Sequence, residues 1–136
     1  MASYKITDIE GIGDVYAKKL DAVNIRSVGA LLNKGCTKKG RQELAAATGF
    51  DEGTILKWVN IADLFRVKGV GSEYSELLEK AGVDTVKELR NRNAENLHAK
   101  IAEVNASHKL VRQIPGKGLV ESWVEAAKNL DPKVSY

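Results

Sequence analysis

The feature that most constrains the fold is a glycine-rich turn that occurs twice. IEGIGDVYAKKL at residues 9–20 returns as VKGVGSEYSELL at residues 67–78. An offset of 58 residues, from Gly11 to Gly69, also aligns apolar positions well beyond the helix that follows each turn. Because a repeated sequence predicts a repeated structure, the chain is expected to contain two related units.

The repeat places the first unit at residues 1–65 and the second unit at residues 66–136. A weaker repeat aligns Trp58 with Trp123, each on the last predicted helix of its unit. The second unit carries an insertion around residues 107–115. With 136 residues, of which 43% are hydrophobic and 29% are charged, the composition is that of an ordinary globular protein. We therefore expect the two units to share one core.

Helical periodicity and helix-capping residues cover most of the chain. The spacing of Ile55, Val59 and Ala62 is typical of a helix that buries one face, whereas no segment alternates apolar and polar residues for the length of a strand. Ser27 and Ser72 are predicted to cap helices. The predicted helices span residues 14–22, 28–33, 38–48, 52–65, 73–81, 94–106 and 118–130, with a short one after a capping box at residues 85–88. The predicted fold class is all-α, with duplicated units in one compact helical domain.

A hydrophobic-x-Gly-x-Gly turn has a specific electrostatic property. Glycine adopts backbone conformations that other residues resist, so the chain reverses tightly and presents consecutive N–H groups at the start of the next helix. The helix N-terminus adds partial positive charge, and lysines one or two turns later can contact the same phosphate or an adjacent one. Such contacts position a protein on a nucleic-acid backbone without reading its sequence.

The stretches IEGIGDVYAKKLDAVNIRSVGALL and VKGVGSEYSELLEKAGVDTVKELR resemble helix-hairpin-helix units. Together with ATGFDEGTILKWVNIADLFRVKGVG, they make nearly the whole chain similar to a bacterial tandem helix-hairpin-helix family that is classed as a domain of unknown function. The resemblance implies sequence-independent binding of double-stranded DNA through the hairpin amides, in some members with a monovalent cation at the hairpin carbonyls. It implies no catalysis.

The charges beside the two turns differ. Residues 15–42 are rich in lysine and arginine, and their only acid is Asp21, so this segment is a candidate phosphate-facing patch. The helix after the second turn carries Glu73, Glu76 and Glu79, which would repel a phosphate. The second unit is therefore expected to be structural or to face a protein partner, unless the basic residues flanking its turn outweigh the acids.

A third candidate turn, IPGKG at residues 114–118, lies in a basic segment from Val104 to Val120 that contains no acid. The predicted DNA contacts over all three turns are Gly11, Ile12, Gly13, Lys18, Lys19, Lys38, Lys39, Arg41, Lys68, Gly69, Val70, Gly71, Arg112, Gly116, Lys117 and Gly118. The net charge of +3 and the pI near 8.9 permit a nucleic-acid partner without requiring one.

Each of these interpretations has a structural alternative. Gly-x-Gly turns also serve as tight connections in helical proteins, and short charge runs usually solvate an exposed helix. Trp58 and Trp123 are expected in the core, and Tyr16 and Tyr74 are expected to pack as well. The second function considered is a helical protein-interaction scaffold, in which an acidic face at residues 73–88 is the docking surface.

Several other classes of function find no support in the sequence. Cys36, His98 and His108 have no zinc-ligand spacing, and the carboxylates surround no nucleophile, so neither an enzyme nor a metal site nor a cofactor is predicted. GVGSEYSE lacks the Gly-Lys-Ser/Thr ending of a phosphate-binding loop. No apolar stretch approaches the roughly 18 residues of a membrane span. Residues 1–10 do not resemble a secretory signal, so a cytoplasmic protein with no membrane partner is expected.

Overall fold

The computed structural model describes residues 4–136. Over this range a 3-10 turn, Ile6–Asp8, precedes eight α-helices. They are α1 (Asp14–Asp21), α2 (Val28–Gly35), α3 (Lys38–Thr48), α4 (Glu52–Leu64), α5 (Ser72–Lys80), α6 (Val86–Leu89), α7 (Ala94–His108) and α8 (Lys117–Lys128). Between residues 4 and 136 there is no strand, only an isolated bridge that joins Lys5 and Ser27. The predicted all-α fold class is therefore confirmed.

The chain divides into two compact units. Unit one comprises Met1–Asp63 together with Lys133–Tyr136, and unit two comprises Leu64–Pro132. The division lies in the last turn of α4, and the C-terminal segment groups with unit one. A core common to both units stays a prediction.

Unit one contains the 3-10 turn, α1–α3 and all of α4 except its last residue, Leu64. The hydroxyls of Ser27 and Thr37 cap α2 and α3 by accepting bonds from the N–H groups of Ala30 and Gly40, each at 3.1 Å. α3 ends at Thr48, and Gly49 is its left-handed C-cap, as predicted. Each helix buries one face, and the core side chains include Ile9, Leu20, Leu31, Leu44, Ile55 and Val59. These positions follow the apolar periodicity of the sequence.

Unit two is built from α5–α8 around the fully buried Trp123. α8 packs against α6 and α7, and α5 packs against α7. The core side chains of this unit include Val70, Leu77, Leu78, Val83, Leu89, Leu97, Ile101, Val120 and Val124. Trp123 of α8 lies beside the second glycine turn, and Trp58 of α4 lies beside the first.

Two predicted helix starts in unit two need correction. Ser72 is the first helical residue of α5 rather than its cap, and Gly71 takes the cap position without a side-chain bond. Only half of the predicted capping box forms, because the Thr85 hydroxyl accepts from Glu88 N–H at 3.4 Å. The Glu88 carboxylate accepts from Asp84 N–H at 3.5 Å, whereas a complete box needs it to accept from Thr85 N–H. α7 also extends through His108, so the predicted insertion begins as helix.

Candidate functional site

The first glycine turn connects the 3-10 turn to α1. Gly11 has a φ of 95°, in the left-handed region that glycine adopts most easily. Ile12 is buried, and its N–H donates to the Ile9 carbonyl at 3.1 Å. Because this bond closes the turn and the side chain is in the core, Ile12 must be removed from the predicted DNA contacts.

Trp58 of α4 packs against this turn. A β-carbon at Gly11 would lie 3.6 Å from the indole nitrogen of Trp58. The indole also contacts the rings of Tyr16 and Phe50, with centroid separations of 5.9 and 5.1 Å. Trp58 and Tyr16 therefore have the packing role expected of them. Phe50 completes this aromatic cluster, which the sequence analysis did not predict. Its position directly after Gly49, the C-cap of α3, is the sequence signal that could have indicated this packing.

The start of α1 is open to solvent. Gly13 is exposed and occupies the cap position with no side-chain hydrogen bond. The first N–H groups of any helix lack intrahelical acceptors, so this end of α1 offers donors and partial positive charge. Asp14, exposed in the first turn, places a carboxylate beside them. That carboxylate stabilises the helix end and opposes an approaching anion.

Lys18 and Lys19 are exposed in the last turn of α1, on the helix that the first turn begins. The ammonium of Lys19 lies 5.4 Å from the centroid of the Phe50 ring, a cation–π contact that orients it. Lys18 lines a shallow depression of about 430 Å³ together with Asp14 and Asp21. Asp21 forms an ion pair with Arg26. Acids therefore accompany the lysines on this surface.

The second basic group of unit one lies at the start of α3. Lys38 and Lys39 are exposed in its first turn, directly after Thr37. Lys34 forms an ion pair with Glu43, with 2.7 Å between its ammonium nitrogen and the carboxylate oxygen. The hydrogen bond and charge of Lys34, with a smaller contribution from Lys39, lower the pKa of Glu43. Glu43 thus stays ionised and offsets part of the basic charge.

Arg41 contradicts its predicted role as a DNA contact. Its side chain is 4% exposed, and its guanidinium donates to the carbonyls of Gly35 at 2.8 Å and Ser135 at 2.6 Å. Burial with these two acceptors makes Arg41 a structural residue that ties the C-terminal segment to unit one. The same segment donates from Ser135 N–H to the Cys36 carbonyl at 2.8 Å.

The second glycine turn repeats the geometry of the first. Gly69 has a φ of 90°, and the N–H of the buried Val70 donates to the Val67 carbonyl at 3.0 Å. Val70 is therefore also removed from the predicted contacts. A β-carbon at Gly69 would lie 3.5 Å from the indole nitrogen of Trp123. Among residues 4–136 that buried nitrogen finds no hydrogen-bond acceptor, a state that costs about 1–3 kcal/mol.

The helices after the second turn carry more acids than bases, since α5 has three glutamates and Lys80, and α6 has Glu88 and Lys87. Lys68 is exposed before the turn, whereas Glu73 is exposed at the start of α5. Farther along, burial first and then the charges of Glu88 and Glu79 raise the pKa of Asp84. Glu79, Asp84 and Glu88 thus form a local group of acids, and the site that they occupy is unfavourable for a phosphate.

The third candidate turn differs in backbone geometry from the other two. Gly116 caps α8 with a φ of −66°, and Gly118 lies inside the helix, so neither has the left-handed conformation of Gly11. The ammonium of Lys117 lies 3.9 Å from the Glu95 carboxylate. Arg112 is exposed, but it lies on the loop before this turn and lines a cleft with α5 and α7. Residues 114–118 are therefore an ordinary helix start.

Of the predicted contacts, Gly11 and Gly13 lie at the first turn, and Lys18 and Lys19 lie in the last turn of the helix that follows it, α1. Lys38 and Lys39 lie on α3 of the same unit. The remaining candidates that are not buried belong to unit two. They are the half-buried Gly71 and the exposed Lys68, Gly69, Arg112, Gly116, Lys117 and Gly118.

In residues 4–136, no group of three or more His, Cys, Asp or Glu side chains is arranged to hold a metal ion. The carbonyls of Ile9 and Gly13 accept bonds from Ile12 and Ala17, and each retains a second lone pair suited to a monovalent cation. Such a cation stays a prediction. None of the described helices is both long and apolar enough to cross a bilayer.

Part of the chain matches a known protein family. Residues 10–130 match the family described as a domain of unknown function, DUF4332. The chain belongs to this family. The DUF4332 match spans both glycine turns and all eight α-helices. No solved structure matches the chain. Because the family description states no activity, a functional assignment depends on the geometry of the chain itself; helix-hairpin-helix character and a bacterial origin stay predictions.

Proposed function

We propose that the chain is a non-enzymatic DNA-binding protein whose units are helix-hairpin-helix units. In this proposal, unit one binds the phosphate backbone of duplex DNA through the first glycine turn. The observation that carries the proposal is the exposed start of α1, which has no side-chain cap and is followed by two exposed lysines on the same helix. Helix-start N–H groups donate to phosphate oxygens, and the lysines add charge.

The same residues account for the lack of sequence preference. Gly11 and Gly13 have no side chains that could reach a base edge, and amide-to-phosphate bonds carry no base information. Lys38 and Lys39 extend the positive surface of unit one beyond α1. Asp14 and Asp21 moderate this charge, so we expect an affinity that is measurable chiefly at low salt. The proposal implies a location where DNA is accessible, such as the bacterial cytoplasm.

The test is fluorescence anisotropy of a labelled random-sequence duplex titrated with the full chain at several salt concentrations. Saturable binding that weakens with salt and is displaced equally by an unrelated duplex supports the proposal. With two to four phosphate contacts, the logarithm of the association constant should fall with the logarithm of salt with a slope of about −2 to −4. No binding at low salt would refute it, as would displacement by only one of several duplex sequences.

The acidic surface of α5 and α6 supports a second candidate, docking of a basic protein partner. The pKa of Asp84 is raised first by burial and then by the nearby charges of Glu88 and Glu79, so the three acids lie close enough to repel one another. A cationic partner would relieve this repulsion. A defined partner that the chain retains at moderate salt without retaining DNA would favour this candidate. Loss of that partner in the Glu76→Lys/Glu79→Lys variant would assign it to this surface.

A further inference from the structure

Unit two contains a cleft of about 770 Å³ that is separate from both glycine turns. Its walls are the first turn of α5, the end of α7 and the loop of residues 109–113 that follows α7. This volume falls within the range of small-molecule sites in proteins, about 300–1,000 Å³. The loop lies in the insertion that distinguishes the second unit in the sequence repeat.

The loop wall is held in place by a side chain of α7. The amide of Asn105 donates to the Val111 carbonyl and accepts from the Val111 N–H, each at 3.0 Å. Lys109 ends α7 in a left-handed conformation with a φ of 52°, which turns the chain into the loop. Leu110 and Val111 pack partly against the core of unit two. A wall fixed in this way loses little entropy when a ligand binds.

The cleft combines three kinds of chemistry. Lys109 and Arg112 are exposed on the loop and supply two positive charges. Tyr74 supplies an aromatic surface, and its ring is held by Trp123 at a centroid separation of 5.1 Å. Glu73 on α5 supplies a carboxylate that accepts hydrogen bonds. A ligand that satisfies all three has an anionic group, a planar ring and a hydrogen-bond donor.

We propose that this cleft binds a nucleoside monophosphate, either free or at the phosphorylated end of a strand. The phosphate contacts Lys109 and Arg112, the base lies against Tyr74, and the exocyclic amino group of the base donates to Glu73. The charge of a phosphate monoester, about −1.5 to −2, matches two cations better than a carboxylate does. The arginine fork suits phosphate oxygens, and a tyrosine ring accepts a base by stacking. None of these residues belongs to the DNA-binding surface proposed for unit one.

The first test is an NMR titration of the full chain with cytidine monophosphate, uridine monophosphate and inorganic phosphate. Cytidine monophosphate should shift the Tyr74 ring protons and the backbone amides of residues 109–112. Uridine monophosphate lacks the exocyclic amino group and should bind about three- to tenfold more weakly. No shifts at millimolar nucleotide, or equal affinity for inorganic phosphate alone, would overturn the proposal.

Variants assign the groups to their roles. The Lys109→Asn/Arg112→Gln variant removes both positive charges, and asparagine at position 109 tolerates the left-handed conformation of Lys109. This variant should bind the nucleotide about tenfold more weakly, or weaker still. The matched control, Lys80→Gln/Lys87→Gln, removes two exposed charges of the same unit outside the cleft and should leave affinity unchanged. Unchanged affinity in the first variant, with native helicity, contradicts the proposal.

A second pair of variants tests base recognition. Glu73→Ala should abolish the preference for cytidine over uridine monophosphate, whereas Glu121→Ala, which removes an exposed acid outside the cleft, should retain it. A preference that survives in Glu73→Ala refutes the assigned contact. Tighter binding of a 5′-phosphorylated oligonucleotide than of its unphosphorylated counterpart identifies a strand end as the source. Equal affinities for the two identify free nucleotide as the ligand.

Discussion

The two glycine turns have nearly the same backbone and opposite surroundings. Gly11 and Gly69 have φ values of 95° and 90°, and a β-carbon on either would lie 3.6 or 3.5 Å from a tryptophan nitrogen. The helix after the first turn ends with two exposed lysines, whereas the helix after the second turn carries glutamates. Since the tryptophan packing occurs in both units, the turn geometry serves the fold in both. The charge that follows the turn is what distinguishes a surface suited to phosphate.

The largest effect on this comparison is expected from reversing the charge of α1. The Lys18→Glu/Lys19→Glu variant should weaken binding to random-sequence duplex DNA by about ten- to hundredfold at low salt, because two cations become two anions beside the turn. The measurement is anisotropy across a salt series.

Lys57→Glu/Lys87→Glu is the matched control for that variant. It makes the same change in net charge at two other exposed lysines, one in each unit. We expect a much smaller loss, which reflects net charge alone. Equal losses in the two variants would show that the position of the lysines is unimportant and would remove α1 from the proposed surface.

Deletion of Lys133–Tyr136 should destabilise unit one but not unit two. The deletion removes the Ser135 carbonyl from the buried guanidinium of Arg41, which then retains the Gly35 carbonyl. The expected cost is about 2 kcal/mol, because a buried charged donor loses an acceptor. Hydrogen exchange measured by mass spectrometry should show faster exchange in α2 and α3, with unchanged protection in α7 and α8. Equal loss of protection in both units would contradict the division of the chain.

Gly11→Ala and Gly69→Ala separate the structural role of the turns from binding. Each should destabilise the protein by about 1 kcal/mol, since alanine resists the left-handed conformation. Thermal unfolding followed by circular dichroism measures this cost. DNA affinity should fall in Gly11→Ala alone. A fall of similar size in Gly69→Ala would indicate that both units contact DNA.

Glu76→Lys introduces a lysine at the position in α5 that aligns with Lys18 in the repeat. If charge is what separates the two turns, this variant should bind the duplex about threefold more tightly at low salt, and the gain should disappear as salt increases. Lys80→Glu, on the same helix, should weaken binding slightly. No gain in Glu76→Lys would mean that the second turn lacks something other than charge.

The smallest expected effect concerns the acids of unit two. Because the folded-state pKa of Asp84 is raised, folding becomes less favourable as pH rises from the ordinary carboxyl pKa through the raised value. Asp84→Asn should therefore stabilise the protein near neutral pH by about a few tenths of a kcal/mol, and the gain should vanish in acid. Thermal unfolding at several pH values tests the sign. Stabilisation that persists below the ordinary carboxyl pKa would contradict this cause.

The sequence predicts the local structure well, since helix periods, caps and glycine turns depend on neighbouring residues. α3 begins at Lys38 and ends at Thr48 as predicted, and the two turns have the expected left-handed glycines. Arg41 shows where this information ends. Its position in a basic run suggests exposure, but one of its acceptors, Ser135, lies 94 residues away in the chain. No local pattern indicates such a contact.

The candidate surface was predicted in part for the same reason. Lys18 and Lys19 lie on the helix that directly follows the first turn, so the local sequence alone assigns them to α1. The IPGKG segment has the composition of a glycine turn, yet Gly116 has a negative φ, because a following helix start needs no left-handed residue. The sequence predicts the loop at residues 109–113 only as part of an insertion. It does not predict the shape of the loop, because that shape depends on hydrogen bonds from the side chain of Asn105.

The assignment of the C-terminal segment to unit one has a consequence for the order of folding during synthesis. All of unit two, Leu64–Pro132, leaves the ribosome before Ser135 does. Because Ser135 follows Arg41 by 94 positions, it is synthesised about 5–20 seconds after Arg41 at typical elongation rates, and the guanidinium lacks its second acceptor during that time. Unit two can therefore complete its core first, and the amino-terminal unit is the last to reach its final hydrogen bonds.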